Sequence, residues 1–268
     1  MEIKNKIILI TGATDGIGKA TAVSAAKKGA QVIIHGRNEE RIVNTLKEIR
    51  ATNDNVYGVQ ADFSDLKQVQ KAAEEINENF DKIDILFNNA AELLPERKIT
   101  EDGFERTFQV NYLAHVLLTE LLAEKIKNIE DSKILNVTSM IHSSFVDFEN
   151  LQGEKNYSGT DAYSLSKLLN ILHTYKLARK YEKEKISINC LHPGVIETKL
   201  LNAAWKGGMP VSEGAETMLY AAESEAIKNV SGLYLENRRP MQSNPVTYDT
   251  EIQDKLYELS LKMLKNYL

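Results

Sequence analysis

Tyr163 and Lys167 stand four residues apart in Asp161-Ala162-Tyr163-Ser164-Leu165-Ser166-Lys167, a spacing that puts a phenol and an ammonium on one face of a helix. An ammonium beside a phenol favours the phenolate. That would lower a pKa that starts near ~10 towards the range useful to a general acid or base. The pair alone says little, because the chain holds 11 Tyr and many lysines, and two amphipathic side chains on a solvated helix account for it equally well. The setting adds weight. Upstream, Thr11-Gly12-Ala13-Thr14-Asp15-Gly16-Ile17-Gly18 follows a short apolar run, and midway between the two a predicted strand ends in Thr138-Ser139. Glycines in a first strand-to-helix turn let the backbone bend sharply and approach a pyrophosphate, to which the next helix presents free N–H groups and a positive dipole end.

Strands and helices in strict alternation would carry these residues. Predicted strands run over about Ile7 to Ile10, Val32 to Ile34, Val56 to Ala61, Ile83 to Phe87, Lys133 to Val137, Ile186 to Leu191 and Gly232 to Leu235. Predicted helices run from Gly16 to Lys28, closed by Gly29, from the N-cap Asn38 onward, from Asp65 to Asn79, as one long helix from Thr100 to Lys127, and from Asp161 to Tyr181. This pattern predicts an α/β chain, a single-domain Rossmann fold over residues 1–268, with a seven-stranded parallel, doubly wound sheet and helices on both faces. Two stretches break the rhythm, about 140–160 and 199–212. Both follow the carboxyl ends of strands, where such sheets bind ligands, so they are candidate substrate walls. Phe145, Phe148, Trp205 and Met209 within them suggest an apolar ligand, or packing on the core.

Composition narrows the function classes. The 268 residues are 43% hydrophobic and 26% charged with a net charge of -5, and no Lys/Arg-rich block interrupts them, which argues against a nucleic-acid-binding surface and for small-molecule chemistry. The lone Cys190 permits no disulfide within the chain, and no apolar run is long enough for a membrane span, so a soluble, cytoplasmic protein is expected. No His-x-x-x-His pair, second cysteine or other ligand spacing points to a metal, and His142 and His192 read as loop and strand-end residues.

Taken together, Thr-Gly-x-x-x-Gly-Ile-Gly, Asn88-Asn89-Ala90, Ser139, Tyr163-x-x-x-Lys167 and His192-Pro193-Gly194 resemble, in kind and order, the short-chain dehydrogenase/reductase family. Leu151 to Lys155, Tyr163 to Leu172 and Leu256 to Ser260 are similar to its retinol dehydrogenase-like branch, whose members often carry a membrane anchor. The resemblance implies Tyr163 as general acid/base, Lys167 binding the nicotinamide ribose while lowering the tyrosine pKa, Ser139 holding the substrate oxygen, and Asn111 anchoring a water that links Lys167 to solvent. It further implies that Gly12, Gly16, Ile17 and Gly18 line the pyrophosphate, Asp62 and Phe63 the adenine, Asn89 and Ala90 the adenosine side, and Ile196 and Thr198 the carboxamide, with Thr14, Asp15, Arg37 and Asn38 also in the cofactor-binding set. Ala91 departs from the usual glycine of Asn-Asn-Ala-Gly, and the extra methyl predicts a small local shift. The two long helices are the surfaces relatives use to dimerise, which leaves the oligomeric state open, a homodimer or homotetramer among the readings.

The end of the second strand bears on the cofactor. An NAD enzyme places an acid there for the ribose hydroxyls, whereas Ile34-His35-Gly36-Arg37-Asn38 has none, and Arg37 can pair with a 2′-phosphate, with Lys19 or Arg41 as possible partners. NADP(H) is favoured over NAD(H). The reading is an oxidoreductase interconverting a carbonyl and an alcohol, with apolar small-molecule substrates. The alternatives are a non-catalytic NADP-binding or scaffold protein, which has no need of Asn111, Ser139, Tyr163 and Lys167 together, and a nucleotide-sugar epimerase or dehydratase, which would carry a sizeable second domain.

Overall fold

In the computed structural model, which describes residues 2–268, alternate strand residues feed two separate cores. Leu9 and Ile33 point to one side of the sheet, Ile8, Ile10 and Ile34 to the other, as the two-residue period of a strand requires. β1 (Ile7–Ile10), β2 (Gln31–Gly36), β3 (Val56–Gln60), β4 (Ile85–Asn88), β5 (Ser132–Val137), β6 (Ile186–Leu191) and β7 (Tyr234–Glu236) are parallel. The sheet order β3-β2-β1-β4-β5-β6-β7-β8 reverses direction between β1 and β4, which opens a crevice at the carboxyl ends of those two strands.

The expected seven strands are eight. β8 (Arg239–Met241) folds back antiparallel on β7 through Asn237 and Arg238, both at positive φ, the geometry of a two-residue hairpin. Three residues including Pro240 carried no strand signal.

Side-chain caps set the helix starts. Asp15 caps α1 (Gly16–Lys27), Asn38 caps α2 (Glu39–Arg50), Asp65 caps α3 (Leu66–Asn79) and Ser158 caps α6 (Gly159–Lys180). The helix expected from Thr100 to Lys127 is shorter and interrupted. Ile99 and Glu105 form a bridge around the Gly103 turn, and the Glu105 carboxylate then caps α4 (Arg106–Phe108). A π-helical turn, Gln109–Leu113, joins α4 to α5 (Ala114–Ile126). Within 199–212 lies a short helix, α7 (Lys199–Asn202), and α8 (Val211–Glu223) begins where the loop was expected to end. α9 (Thr250–Leu264), which the alternation did not place, lies along α6. There Lys176 and Arg179 hold Asp254, Lys180 bonds to Tyr257 at 2.6 Å, and Ser260 meets Tyr112 of the π turn at 2.8 Å. No helix among the described residues is long and apolar enough to cross a membrane.

Candidate active site

A cavity of about 460 Å³ opens at the β1/β4 crevice, a size suited to a dinucleotide-class ligand. Its floor is backbone brought unusually close. A Cβ at Gly18 would stand 2.4 Å from the Gly12 carbonyl oxygen, one at Gly12 2.9 Å from Ala90 Cα, and one at Gly36 2.5 Å from Thr14 Cγ2. Only glycine permits this approach, and a flat, polar ligand chain can rest against it. The floor is tied to β4 by Thr11, whose hydroxyl oxygen accepts the N–H groups of Asn89 and Ala90 at 2.8 and 2.9 Å. Behind it His35 accepts the Gly12 N–H at 3.2 Å and stacks on Phe63, while His115 meets Thr11 Oγ1 at 3.0 Å. Burial holds both imidazoles neutral, pushing His35 down to about 4 and His115 to about 3.

Fourteen of the expected residues border this cavity. They are Gly12, Thr14, Asp15, Gly16, Ile17 and Gly18 at the turn, Arg37, Asp62, Phe63, Asn89 and Ala90 at one end, and Tyr163, Lys167 and Thr198 at the other. Asn38 is spent on capping α2, where its side chain accepts the Arg41 N–H at 2.9 Å. Ile196 is buried and bridged to Met209, off the cavity wall. The Phe63 ring stacks at 4.2 Å on His35, so it borders the cavity as part of the core. Ala91 is absent from the residues at positive φ, so its methyl meets no backbone penalty.

Lys167 sends Nζ to the Val137 carbonyl at 2.9 Å and lies 5.4 Å from the centroid of the Tyr163 ring. The expected lowering of the phenol is not found in the free chain. Burial raises Tyr163 to about 12, with a hydrogen bond from Ser139 pulling the other way, and burial lowers Lys167 to about 7. Desolvation favours the neutral form of each, and it outweighs an ammonium aimed at a carbonyl instead of at the phenolic oxygen. Trp205 from the 199–212 segment covers the tyrosine, ring centroids 6.4 Å apart. Asn111, in the π turn, is off the cavity and fully engaged. Its Oδ1 accepts the Glu92 N–H, its Nδ2 donates to the Glu92 carbonyl and to Ser166 Oγ, and its own carbonyl accepts from Asn170 Nδ2 and faces His115 Nδ1.

Two bordering residues, Glu92 and Lys199, carried no sequence signal. Glu92 joins Arg37 and Arg106, and Lys199 reaches Asp15 at 2.6 Å across the cavity mouth, with Arg41 on the same carboxylate at 3.6 Å. Lys19 is turned away to Glu48. Only pairing across distant elements gives these charges a place, and spacing does not report it.

A short chain dehydrogenase family model matches residues 6–207. The chain belongs to the short-chain dehydrogenase/reductase family, in its retinol dehydrogenase-like branch. It is 35% identical to retinol dehydrogenase 13 of Mus musculus over 98% of this chain and 84% of that protein, and 34% identical to retinol dehydrogenase 12 of the same species over 98% and 88%. Among solved structures it is similar to an uncharacterised protein from Mycobacterium paratuberculosis, with TM-score 0.83, 27% identity and 98% and 95% of the two chains covered. It is also similar to a short chain dehydrogenase from Burkholderia cenocepacia in complex with NADP, with TM-score 0.72, 25% identity and coverage of 88% and 97%. The family match makes this chain an oxidoreductase with a nucleotide-binding framework, and the mycobacterial protein shares its fold.

Proposed function

We propose that this oxidoreductase interconverts a carbonyl and an alcohol with NADP(H), using Tyr163 as general acid/base. The carrying observation is the placement of Tyr163 and Lys167 at one end of a glycine-floored cavity whose other end offers Arg37 and no acid from β2. Gly12, Gly16 and Gly18 would hold the pyrophosphate, Arg37 the 2′-phosphate with Arg41 nearby, and Lys167 the nicotinamide-side ribose. The cofactor, when bound, supplies or accepts the hydride. In the reducing direction Tyr163 gives its phenolic proton to the substrate oxygen, and in the oxidising direction it takes the hydroxyl proton back. Ser139, whose hydroxyl oxygen accepts the Ile141 N–H at 3.0 Å and which pulls the phenol's pKa down, would orient that same oxygen. Asn111 holds the loop after β4 against α6 through Glu92 and Ser166. The exposed Met140, Ile141 and Met209 beside the site suit an apolar substrate. The NADP-bound Burkholderia relative supports the cofactor reading.

Tyr163→Phe tests the assignment. The ring keeps its packing and loses only the proton donor, so NADPH binding should persist while carbonyl reduction drops by roughly 10²-fold or more. Retained turnover in a stopped-flow NADPH assay over a panel of aldehydes and ketones would remove Tyr163 from the mechanism.

A further inference from the structure

At the adenosine end of the cavity one carboxylate stands between two guanidinium groups. Glu92 Oε2 accepts from Arg37 Nη1 at 3.1 Å, and Oε1 accepts from Arg106 Nε at 2.7 Å. The side chain of Glu92 is 15% exposed and that of Arg37 60%, so the carboxylate is the fixed partner and Arg37 the loose one. Glu92 is fixed at its backbone too, where its N–H and carbonyl are both bonded to the Asn111 amide, at 2.8 and 2.9 Å. Arg37 makes no other side-chain bond among the described residues, and an exposed arginine carries much rotamer freedom that a single ion pair can restrict.

Two opposite effects could follow from an acid in this place. It could sequester Arg37 and repel a phosphate, or it could hold the guanidinium where a phosphate arrives. The geometry favours the second. Arg106 matches the charge of Glu92 independently of Arg37, and only Nη1 of Arg37 is engaged, which leaves Nη2 and Nε as donors. Asp62 beside them is balanced as well. Burial pushes its carboxyl up, but bonds from Ser64 and the charges of Arg106 and Arg37 hold it below its ordinary value.

We propose that Glu92, anchored by Arg106, is a positioning residue for cofactor selection, holding Arg37 at the adenosine end so that its free donors meet a 2′-phosphate. The inference rests on the NADP(H) reading above. It places the selecting element partly on the loop after β4, and because the same loop is bonded to Asn111, selection and the catalytic end share one support.

Fluorescence titration of the full chain with NADPH and with NADH tests this in wild type, Glu92→Gln, Arg37→Ala and the double variant. Glutamine keeps the shape and the backbone bonds to Asn111 and removes the charge. Glu92→Gln should lower the NADPH-to-NADH affinity ratio by roughly three- to fivefold, the worth of a partly exposed ion pair, with NADH affinity unchanged. Arg37→Ala should lower the ratio by roughly tenfold or more, and the double variant should match it, since Glu92 acts only through Arg37. If Arg37→Ala leaves the ratio unmoved, the NADP(H) reading itself fails. If Arg37→Ala moves it and Glu92→Gln leaves it level, raises it, or weakens both cofactors alike, the positioning role alone is overturned.

Discussion

A phenol held at about 12 is a proton donor across the neutral range and a base only in alkali. Alcohol oxidation, which needs the phenolate, should therefore climb with pH beyond neutrality while carbonyl reduction, which needs the protonated phenol, stays level up to pH 10. Initial rates in both directions from pH 6 to 10 would show it, and an oxidation rate flat over that range would mean that the burial shift is cancelled in the working complex. Trp205 contributes to the burial, so Trp205→Ala should admit water and bring the phenol back towards its ordinary ~10, shifting the oxidation limb to lower pH by roughly one unit. An unmoved limb would show that other groups keep the phenol dry. The sequence made Tyr163 and Lys167 legible because four-residue spacing is a property of the helix itself. It could not reveal that Lys167 donates to the Val137 carbonyl, because that acceptor exists only once α6 has been laid across the end of β5.

Among the elements, the glycine turn is the one least able to give. Gly18→Ala would drive a methyl to 2.4 Å from the Gly12 carbonyl, and a backbone atom cannot step aside as a side-chain tip can. Overpacking of this kind costs about 1–3 kcal/mol, so the variant should melt several degrees lower and bind NADPH weakly; an unchanged Tm with full binding would show a turn looser than described. Gly103→Ala is the useful contrast. Nothing lies within 4 Å of the added carbon, and only the positive φ of 86° charges it, about 1 kcal/mol, with cofactor binding untouched. Strands and their helices were readable because apolar runs and polar caps are local. The break at Ile99–Glu105 was not, since Thr100 to Lys127 reads as continuous helix until Glu105 is seen to cap Thr107 and Phe108. The π turn that follows has no local signature either, being held by the partners of Asn111 on other elements.

For the molecule as a whole, four buried imidazoles set a lower limit on pH, His192 also being pushed down by burial, beside the three with the largest shifts. Burial depresses His35 to about 4, His115 to about 3 and His173 to about 4, so below 6.5 the unfolded chain takes up protons that the folded chain refuses. Stability should then fall as pH drops from 6.5 towards 4, by roughly 1.4 kcal/mol per pH unit for each histidine in its window. Urea midpoints at pH 7, 5.5 and 4.5 would expose the trend, and a constant midpoint would mean that these rings charge freely in the folded state. One of the two long helices, α6, already has a neighbour within the chain. α9 lies along α6, with Leu256, Tyr257 and Leu264 buried in the core they share. Removing residues 250–268 should uncover apolar surface and drive self-association, visible by light scattering; a truncated chain that scatters as the full chain does would show that the face needs no cover. At the far end of the sheet, β8 has consequences for what the molecule can be joined to. Its three residues run against the rest and include Pro240, which has no N–H to offer, so the outer rung gives a newcomer almost nothing to pair with. The opposite margin is the ordinary parallel strand Val56–Gln60. The fold therefore has one blunt side and one side open to extension, and a foreign strand, whether from a fused tag or a misfolded neighbour, finds its template at β3.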